Sequence, residues 1–334
     1  MYAIVNGKII MPDKVLENKV LVFNKQIVEI SDEVPANHEV IDARGNYVAP
    51  GLIDVHVHGS CGADTMDQSV EAIQTISEGI VKNGVTSFLP TTMTMSPEDI
   101  YGALKVVREC MSKEFDGAKV MGAHMEGPFI NAIYKGAQPE QYIVKPSYKF
   151  IEDYTDVIKL VSYAPEMDDD YSFTKEVKDK TDITLSIGHT NATYDQAMEA
   201  IDYGVSHVTH LFNAMTPLNH REPGVVGAAL TSDCYCEMIA DKIHINKSLF
   251  QFVLDNKGKH KVVLITDSMR AGCMKDGKYD LGGQDVYVKD GAARLESGSL
   301  AGSVLTLNKA VYNFLQNTNA TINEAIHMAS LNPA

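Results

Sequence analysis

Apolar residues follow two different rhythms along the chain. Up to about residue 46 they come in short runs broken by turn-forming pairs. Ala3-Ile4-Val5 and Lys8-Ile9-Ile10 flank Asn6-Gly7, while Val20-Leu21-Val22-Phe23 and Gln26-Ile27-Val28-Glu29-Ile30 flank Asn24-Lys25. Asn-Gly accepts the positive φ of a tight turn at little cost, so residues 1–46 predict β-hairpins in a small β domain. The first residues read as its opening strand, because they lack the basic start and long apolar stretch of a secretion signal.

From Tyr47 the rhythm changes. Apolar runs at 47–58, 86–91, 119–126, 158–164, 184–189, 207–211, 236–241 and 262–267 alternate with amphipathic segments. Strand and helix in alternation predict a parallel sheet, and eight strands is the number that closes a barrel. The helices carry end signals. Ser96-Pro97-Glu98-Asp99 offers an N-cap, a proline at the first helical position and an acid in the first turn. Thr193 opens a helix that Gly204 closes, and Thr321-x-x-Glu324 has the spacing of a capping box. Residues 276–300 break the rhythm with Asp276-Gly277, Gly282-Gly283 and Asp290-Gly291, and predict a β-rich insertion after the eighth strand. The expected fold is α/β: a (β/α)8 TIM-like barrel over 47–334, with a small β-sandwich-type accessory domain formed mainly by residues 1–46.

Composition agrees with this picture. A chain of 334 residues, 45% hydrophobic, accommodates a barrel of typically about 250 residues plus an accessory part. The net charge of −15 opposes binding to nucleic acid or anionic membranes, although a few Arg and His residues in a pocket can still hold a small anion. No apolar run approaches the roughly 20 residues of a membrane span. Cys61, Cys110, Cys234, Cys236 and Cys273 are odd in number and irregularly spaced, which predicts free thiols in a reducing cytoplasm.

The candidate chemistry lies at the strand ends, where parallel barrels carry their catalytic groups. The first strand ends Asp54-Val55-His56-Val57-His58, and residues two apart on a strand share a face. The third ends in His124-Met125-Glu126, the fifth at His189, the sixth at His210 and the eighth at Asp267. Imidazole nitrogens with carboxylate oxygens suit a divalent metal such as zinc, iron(II) or manganese. Such an ion lowers the pKa of its water from about 15.7 to about 7. At about 1.36 kcal/mol per unit, that eases hydroxide formation by on the order of 10 kcal/mol. Asp267, at the end of the last strand, is placed to take the water's proton. His124 faces the same way as Glu126, either as support for it or as a histidine satisfied by its own hydrogen bonds. His207 falls on the opposite face from His210.

His-x-His, Glu, His, His and Asp on successive strands resemble the amidohydrolase superfamily, as does the segment Val48-Ala49-Pro50-Gly51-Leu52-Ile53-Asp54-Val55-His56-Val57-His58. Further motifs resemble its N-acetylglucosamine-6-phosphate deacetylase family: Glu126-Gly127-Pro128-Phe129, Gly188-His189-Thr190-Asn191-Ala192, Thr209-His210-Leu211-Phe212-Asn213-Ala214-Met215, Arg221-Glu222-Pro223-Gly224, Ala240-Asp241-Lys242-Ile243-His244 and Thr266-Asp267-Ser268-Met269-Arg270. The resemblance implies hydrolysis of N-acetyl-D-glucosamine 6-phosphate to D-glucosamine 6-phosphate and acetate, in amino-sugar catabolism and recycling. It implies Glu126, His189 and His210 as ligands of a principal metal. It also implies a second ion at His56, His58 and Asp267, with Glu126 bridging. The cofactor is then one or two divalent ions per subunit, Zn2+ or Fe2+ foremost, with Mn2+ or Co2+ as alternatives. Asp267 resembles the general base and later the acid. Asn213 and Ala214 would meet the phosphate through backbone N–H groups, with His244 beside them. Arg221 would reach the neighbouring active site of a homodimer. Another cyclic amidase or deaminase of the superfamily is the rival reading, but such enzymes usually bridge their metals with a lysine, where this chain has Glu126.

The sequence departs from the family pattern twice. Where many members carry a histidine that polarises the substrate carbonyl, this chain reads Lys135-Gly136-Ala137-Gln138-Pro139, leaving Gln138 as a neutral donor to the substrate. Members also run on past the position of Ala334 through strands that complete the small domain, so its C-terminal part is expected to be missing here.

Overall fold

The computed structural model describes residues 1–334. Eight strands run parallel around a ring: β1 (Leu52–Val57), β2 (Val85–Thr92), β3 (Ala123–Glu126), β4 (Ile158–Tyr163), β5 (Thr184–Ile187), β6 (His207–Val208), β7 (Tyr235–Ile239) and β8 (Val262–Ile265). Each pairs with the next in parallel register from β1 to β8. The seam between β8 and β1 is closed by a bridge from Val57 to Ser268. Asp267 N–H donates to the His56 carbonyl at 2.8 Å, and Thr266 Oγ1 donates to the buried Asp54 carboxylate at 2.6 Å. The architecture is therefore a (β/α)8 TIM-type barrel. Its outer layer is α1 (Val70–Ile80), α2 (Pro97–Met111), α3 (Ser172–Lys180), α4 (Tyr194–Asp202), α5 (Gly224–Thr231), α6 (Phe250–Lys257), α7 (Leu307–Asn317) and α8 (Ile322–Met328). Between β3 and β4 the only α-helical segment is the single turn Tyr148–Ile151, accompanied by short 3-10 turns at Ala132–Tyr134, Glu140–Tyr142 and Glu152–Tyr154.

The caps form as their sequences demand. Ser96 Oγ accepts the Asp99 N–H ahead of Pro97, and both the Thr193/Gln196 and Thr321/Glu324 capping boxes close. Each satisfied cap contributes about 1 kcal/mol. The inner faces of these helices bury Ile73, Ile76, Leu104, Val107, Phe173 and Phe314 against the strands in one continuous core.

Three expectations need correction. The run 47–58 is two strands: Tyr47–Val48 pairs with Lys8–Ile10 in a small sheet, and only Leu52–Val57 enters the barrel. At the break, a Cβ on Gly51 would lie 1.9 Å from Thr86 Oγ1, so the chain crosses there without a side chain. The run 119–126 is also interrupted, into Lys119–Val120 and β3. Gly122 at φ +150° packs so closely that a Cβ would meet the Val157 carbonyl at 2.6 Å. Finally, Asn6-Gly7 does not make a hairpin. Tyr2–Val5 pairs with Val20–Phe23 and Glu39–Asp42, whereas Lys8–Ile10 lies in the other sheet. Asn6 does take the left-handed φ of 56° that its type favours, but that turn carries the chain from one sheet to the next. Turn propensity is local, and burying Ala3 with Val20 and Val22 decides the partner. The second expected hairpin, Val20–Phe23 with Ile27–Ser31, is present.

The insertion is a three-stranded antiparallel sheet, Gly277–Leu281, Gln284–Lys289 and Ala292–Leu295. It has its own core of Leu281, Val286, Val288 and Ala293 packed on Met93 and Met269. Gln284 Nε2 ties it to the Ala137 carbonyl at 2.5 Å, so it stands over the barrel mouth. All five cysteines are free thiols, and no helix is long and apolar enough to cross a membrane.

Candidate metal centre and active site

A cavity of about 340 Å³ opens at the C-terminal end of the barrel. Its lining includes His58, Glu126, His189, His210 and Asp267, with Asn213, Ala214, His244 and Gln138 around them. The six strand-end residues singled out in the sequence are thus brought together, although they span more than 200 residues of chain. His56 is fully buried and joins the set through Glu126, with Nε2 3.4 Å from its Oε1.

Backbone geometry aims several of these side chains. His189 (φ 49°), His210 (φ 31°) and Asp267 (φ 49°) all leave their strands in the left-handed region. That conformation costs a non-glycine residue about 1–3 kcal/mol and persists where surrounding bonds impose it. Here the His189 carbonyl accepts from Asn131 N–H at 2.8 Å, and the Asp267 carbonyl accepts from Ser303 N–H at 2.7 Å. The expected sixth strand, 207–211, is accordingly cut to two residues, because the chain must turn before His210 to present its ring.

Glu126 is the hub. Its Oε1 lies 3.2 Å from both His189 Nε2 and His210 Nε2, and 3.4 Å from His56 Nε2. Its Oε2 lies 3.3 Å from His58 Nε2, and Asp267 Oδ1 is 3.3 Å from His58 Nε2 and 3.5 Å from His56 Nε2. The residues form two overlapping donor groups, Glu126–His189–His210 and His56–His58–Glu126.

The donors fit a divalent ion. His189 and His210 face each other Nε2 to Nε2 at 3.2 Å. Zinc–nitrogen bonds of about 2.0–2.1 Å in a tetrahedral shell set its edges at about 3.3 Å, which is this spacing. His56 Nε2 is buried without a hydrogen-bond partner although two carboxylates lie close by, as expected of a lone pair meant for a cation. Second contacts orient the rings: His189 Nδ1–H donates to the Tyr134 carbonyl at 2.9 Å, and His56 Nδ1–H to Glu237 at 2.9 Å.

Without a metal, protons take the place of the positive charge. Burial would lower the pKa of the His58 imidazole, but Asp267 and Glu126 more than reverse this and push it up to about 10. His56 is driven well above its ordinary value against the same burial cost by Glu237, Asp267 and Glu126, and His189 is raised mainly by Glu126. Burial alone would raise the Asp267 carboxyl; the cationic His56 and His58 instead hold it well below the usual carboxylate range.

Other residues fall out differently. His124 spends both nitrogens, donating from Nδ1 to the Val55 carbonyl and accepting at Nε2 from Ser162 Oγ, and burial lowers its pKa to about 3. It packs edge-on against His56, at 4.5 Å between ring centroids, and is support rather than ligand. His207 donates no ligand either and pairs with Ser186 Oγ.

Gln138, expected to donate to a substrate carbonyl, lines the cavity and also makes bonds within the protein. Its Oε1 accepts the Thr94 N–H at 2.7 Å, which fixes the amide orientation, and its Nε2 donates to Glu126 Oε2 at 2.5 Å. One oxygen lone pair and one N–H of the amide are thus engaged within the protein, which leaves the second Nε2–H over. Asn213 differs from expectation, because its N–H closes a turn onto the His210 carbonyl at 2.9 Å. Ala214 N–H has no such partner, and His244 presents Nε2 while Nδ1–H is held by Asp241 at 2.6 Å. Arg221 lies in an exposed loop beside His220, away from this cavity and with no carboxylate partner in its own chain.

Two carboxylates escaped the sequence reading. Glu237 is fully buried on β7, and its signal was a lone acid inside the apolar run Cys236-Glu237-Met238-Ile239. Glu166 accepts from Asn131 Nδ2, Thr190 Oγ1 and Asn191 N–H, clamping the loops after β3 and β5 together. Nothing in its local sequence marks it.

Comparison with protein families matches residues 47–334 to the Amidohydrolase family. The chain is 40% identical over 315 residues to N-acetylglucosamine-6-phosphate deacetylase of Lysinibacillus sphaericus, covering 92% of this chain and 81% of that protein. It is 35% identical over 313 residues to N-acetylgalactosamine-6-phosphate deacetylase of Escherichia coli O157:H7, covering 92% and 82%. The crystal structure of N-acetylglucosamine-6-phosphate deacetylase from Pasteurella multocida superposes with a TM-score of 0.94 at 34% identity, over 100% of this chain and 89% of that one.

Proposed function

The chain belongs to the amidohydrolase family, and within it we propose that it hydrolyses N-acetyl-D-glucosamine 6-phosphate to D-glucosamine 6-phosphate and acetate, a step of amino-sugar catabolism. The observation that carries this reading is the convergence of His189, His210, His56 and His58 on one carboxylate, Glu126, at the floor of a pocket that also holds Asp267.

We assign Glu126, His189 and His210 to a principal divalent ion, and His56, His58 and Asp267, with Glu126 shared, to a second. Zn2+ and Fe2+ suit this mixed nitrogen and oxygen set best, with Mn2+ or Co2+ as further candidates. A bound ion polarises an amide carbonyl and lowers the pKa of water from about 15.7 to about 7. Asp267 is ionised at neutral pH, as a base must be. It takes a proton from the attacking water and returns it to the departing amine nitrogen, so that one carboxylate serves both halves of the reaction. Gln138 steers Glu126 through one N–H of its amide. Ala214 N–H and His244 Nε2, which line the same cavity, are assigned to the phosphate, and Met93, Leu281 and Leu300 add apolar lining. Arg221, exposed and unpaired by any acid of its own chain, is assigned to the phosphate of the neighbouring subunit in a homodimer. A guanidinium fork matches phosphate geometry. A sugar phosphate is charged and does not cross a lipid bilayer, which favours the cytoplasm as the compartment.

The test is acetate release by metal-depleted protein resupplied with Zn2+, Fe2+, Mn2+ or Co2+. N-acetylglucosamine 6-phosphate is the expected substrate, with N-acetylgalactosamine 6-phosphate in parallel because one relative carries that name. No acetate from either sugar with any ion sinks the reading. Release from the galactosamine substrate alone moves the assignment to the epimer.

A further inference from the structure

One carboxylate outside the pocket touches both halves of the centre. Glu237 is fully buried. Its Oε2 accepts from His56 Nδ1–H at 2.9 Å and from the backbone N–H of His210 at 3.0 Å. Its own carbonyl accepts from Leu211 N–H at 2.9 Å. The other carboxylate oxygen, Oε1, has no hydrogen-bond partner and stands 3.9 Å from His207 Nδ1.

These contacts have distinct consequences. A neutral imidazole carries one proton, and a carboxylate against Nδ1 draws that proton to Nδ1. The lone pair of His56 is then left on Nε2, which faces Glu126 Oε1 at 3.4 Å and Asp267 Oδ1 at 3.5 Å. Lone pair against carboxylates is repulsive unless positive charge lies between them. The backbone contact acts on the other half of the centre. His210 sits at φ 31°, and its N–H is anchored by the same oxygen that holds His56. The trio His56, His124 and Glu237 also lies close enough to resemble a third ligand set. It is not one, because His124 already uses both nitrogens and His56 Nδ1 is spent on Glu237.

We propose that Glu237 is a positioning residue shared by both ion positions, fixing the tautomer of His56 through one hydrogen bond and the strained backbone of His210 through another. The inference rests on the metal reading above. Metal content per chain, and affinity by competition with a chromophoric chelator, are measured for wild type, Glu237→Gln and Glu237→Ala. The Gln variant keeps an acceptor of the same shape and removes the charge, so it should bind divalent ions several-fold less tightly. The Ala variant should lose about 10- to 100-fold in affinity, the usual effect of removing such a support. The melting temperature of the metal-free forms separates a merely structural defect, which would lower it without changing ion affinity. If Glu237→Ala does not fold, Glu237→Gln alone decides: weakened ion binding supports the role, and wild-type binding of both ions overturns it. A wild-type chain that binds no divalent ion removes the metal centre itself, and the role of Glu237 with it.

Discussion

His189 and His210 hold their Nε2 atoms 3.2 Å apart, each 3.2 Å from the same oxygen of Glu126. Two imidazole nitrogens in that position need either a proton or a cation between them. Because His56, His58 and His189 are all raised above their ordinary pKa, a metal entering at neutral pH must displace protons. Calorimetric titration in two buffers of different ionisation enthalpy should show proton release, and ion affinity should fall steadily as pH is lowered below about 10, the raised value of His58. Affinity independent of pH would contradict this account.

The same shifts give metal-free protein a pH-dependent stability. His58 moves from an ordinary value of 6.5 to about 10, so its charged form stabilises the fold. That stabilisation is complete below the unfolded value and is lost as pH rises through the folded one. Thermal melting of chelator-treated protein should therefore fall between pH 6.5 and 10, and the metal-loaded form should fall less. A flat profile for the metal-free form would show that His58 does not carry the charge.

Asp267→Asn keeps the size of the side chain and removes its basicity. Turnover should drop by about 10²- to 10⁴-fold while sugar-phosphate binding, measured by calorimetry, is retained. Turnover within about tenfold of wild type would reassign the proton transfer to another group.

Gln138→Ala tests whether that amide serves Glu126 or the substrate. Its removal strands the buried Thr94 N–H, at a cost of about 1–3 kcal/mol that should appear as a lower melting temperature. It also frees Glu126 Oε2, so kcat should suffer more than KM. An unchanged kcat with a large rise in KM would return Gln138 to substrate recognition.

Arg221→Ala should raise KM by about tenfold or more, with kcat little altered, if the guanidinium binds phosphate without taking part in the chemistry. Native mass spectrometry should find a dimer in both proteins. A monomer with unchanged KM would remove Arg221 from the site.

What the sequence determined by itself is local in origin. Residues two apart on a strand share a face, so Asp54, His56 and His58 could be aligned without a structure. The ends of β3, β5 and β8 likewise marked Glu126, His189 and Asp267, and the caps at Ser96, Thr193 and Thr321 needed only their own neighbours. Tertiary structure decided everything that depends on a partner far along the chain. Asn6-Gly7 declared a turn, but the strand it served was chosen by the burial of Ala3 against Val20 and Val22. Gln138 declared a donor, yet only the fold showed that its amide bridges Thr94 and Glu126. Glu237 looked like a misplaced charge in an apolar strand until the barrel brought it to His56, which is 181 residues away in sequence. A side chain's chemistry is written in its own residue, but its hydrogen-bond partner is set by packing, and in a closed barrel the nearest neighbours come from every turn of the chain.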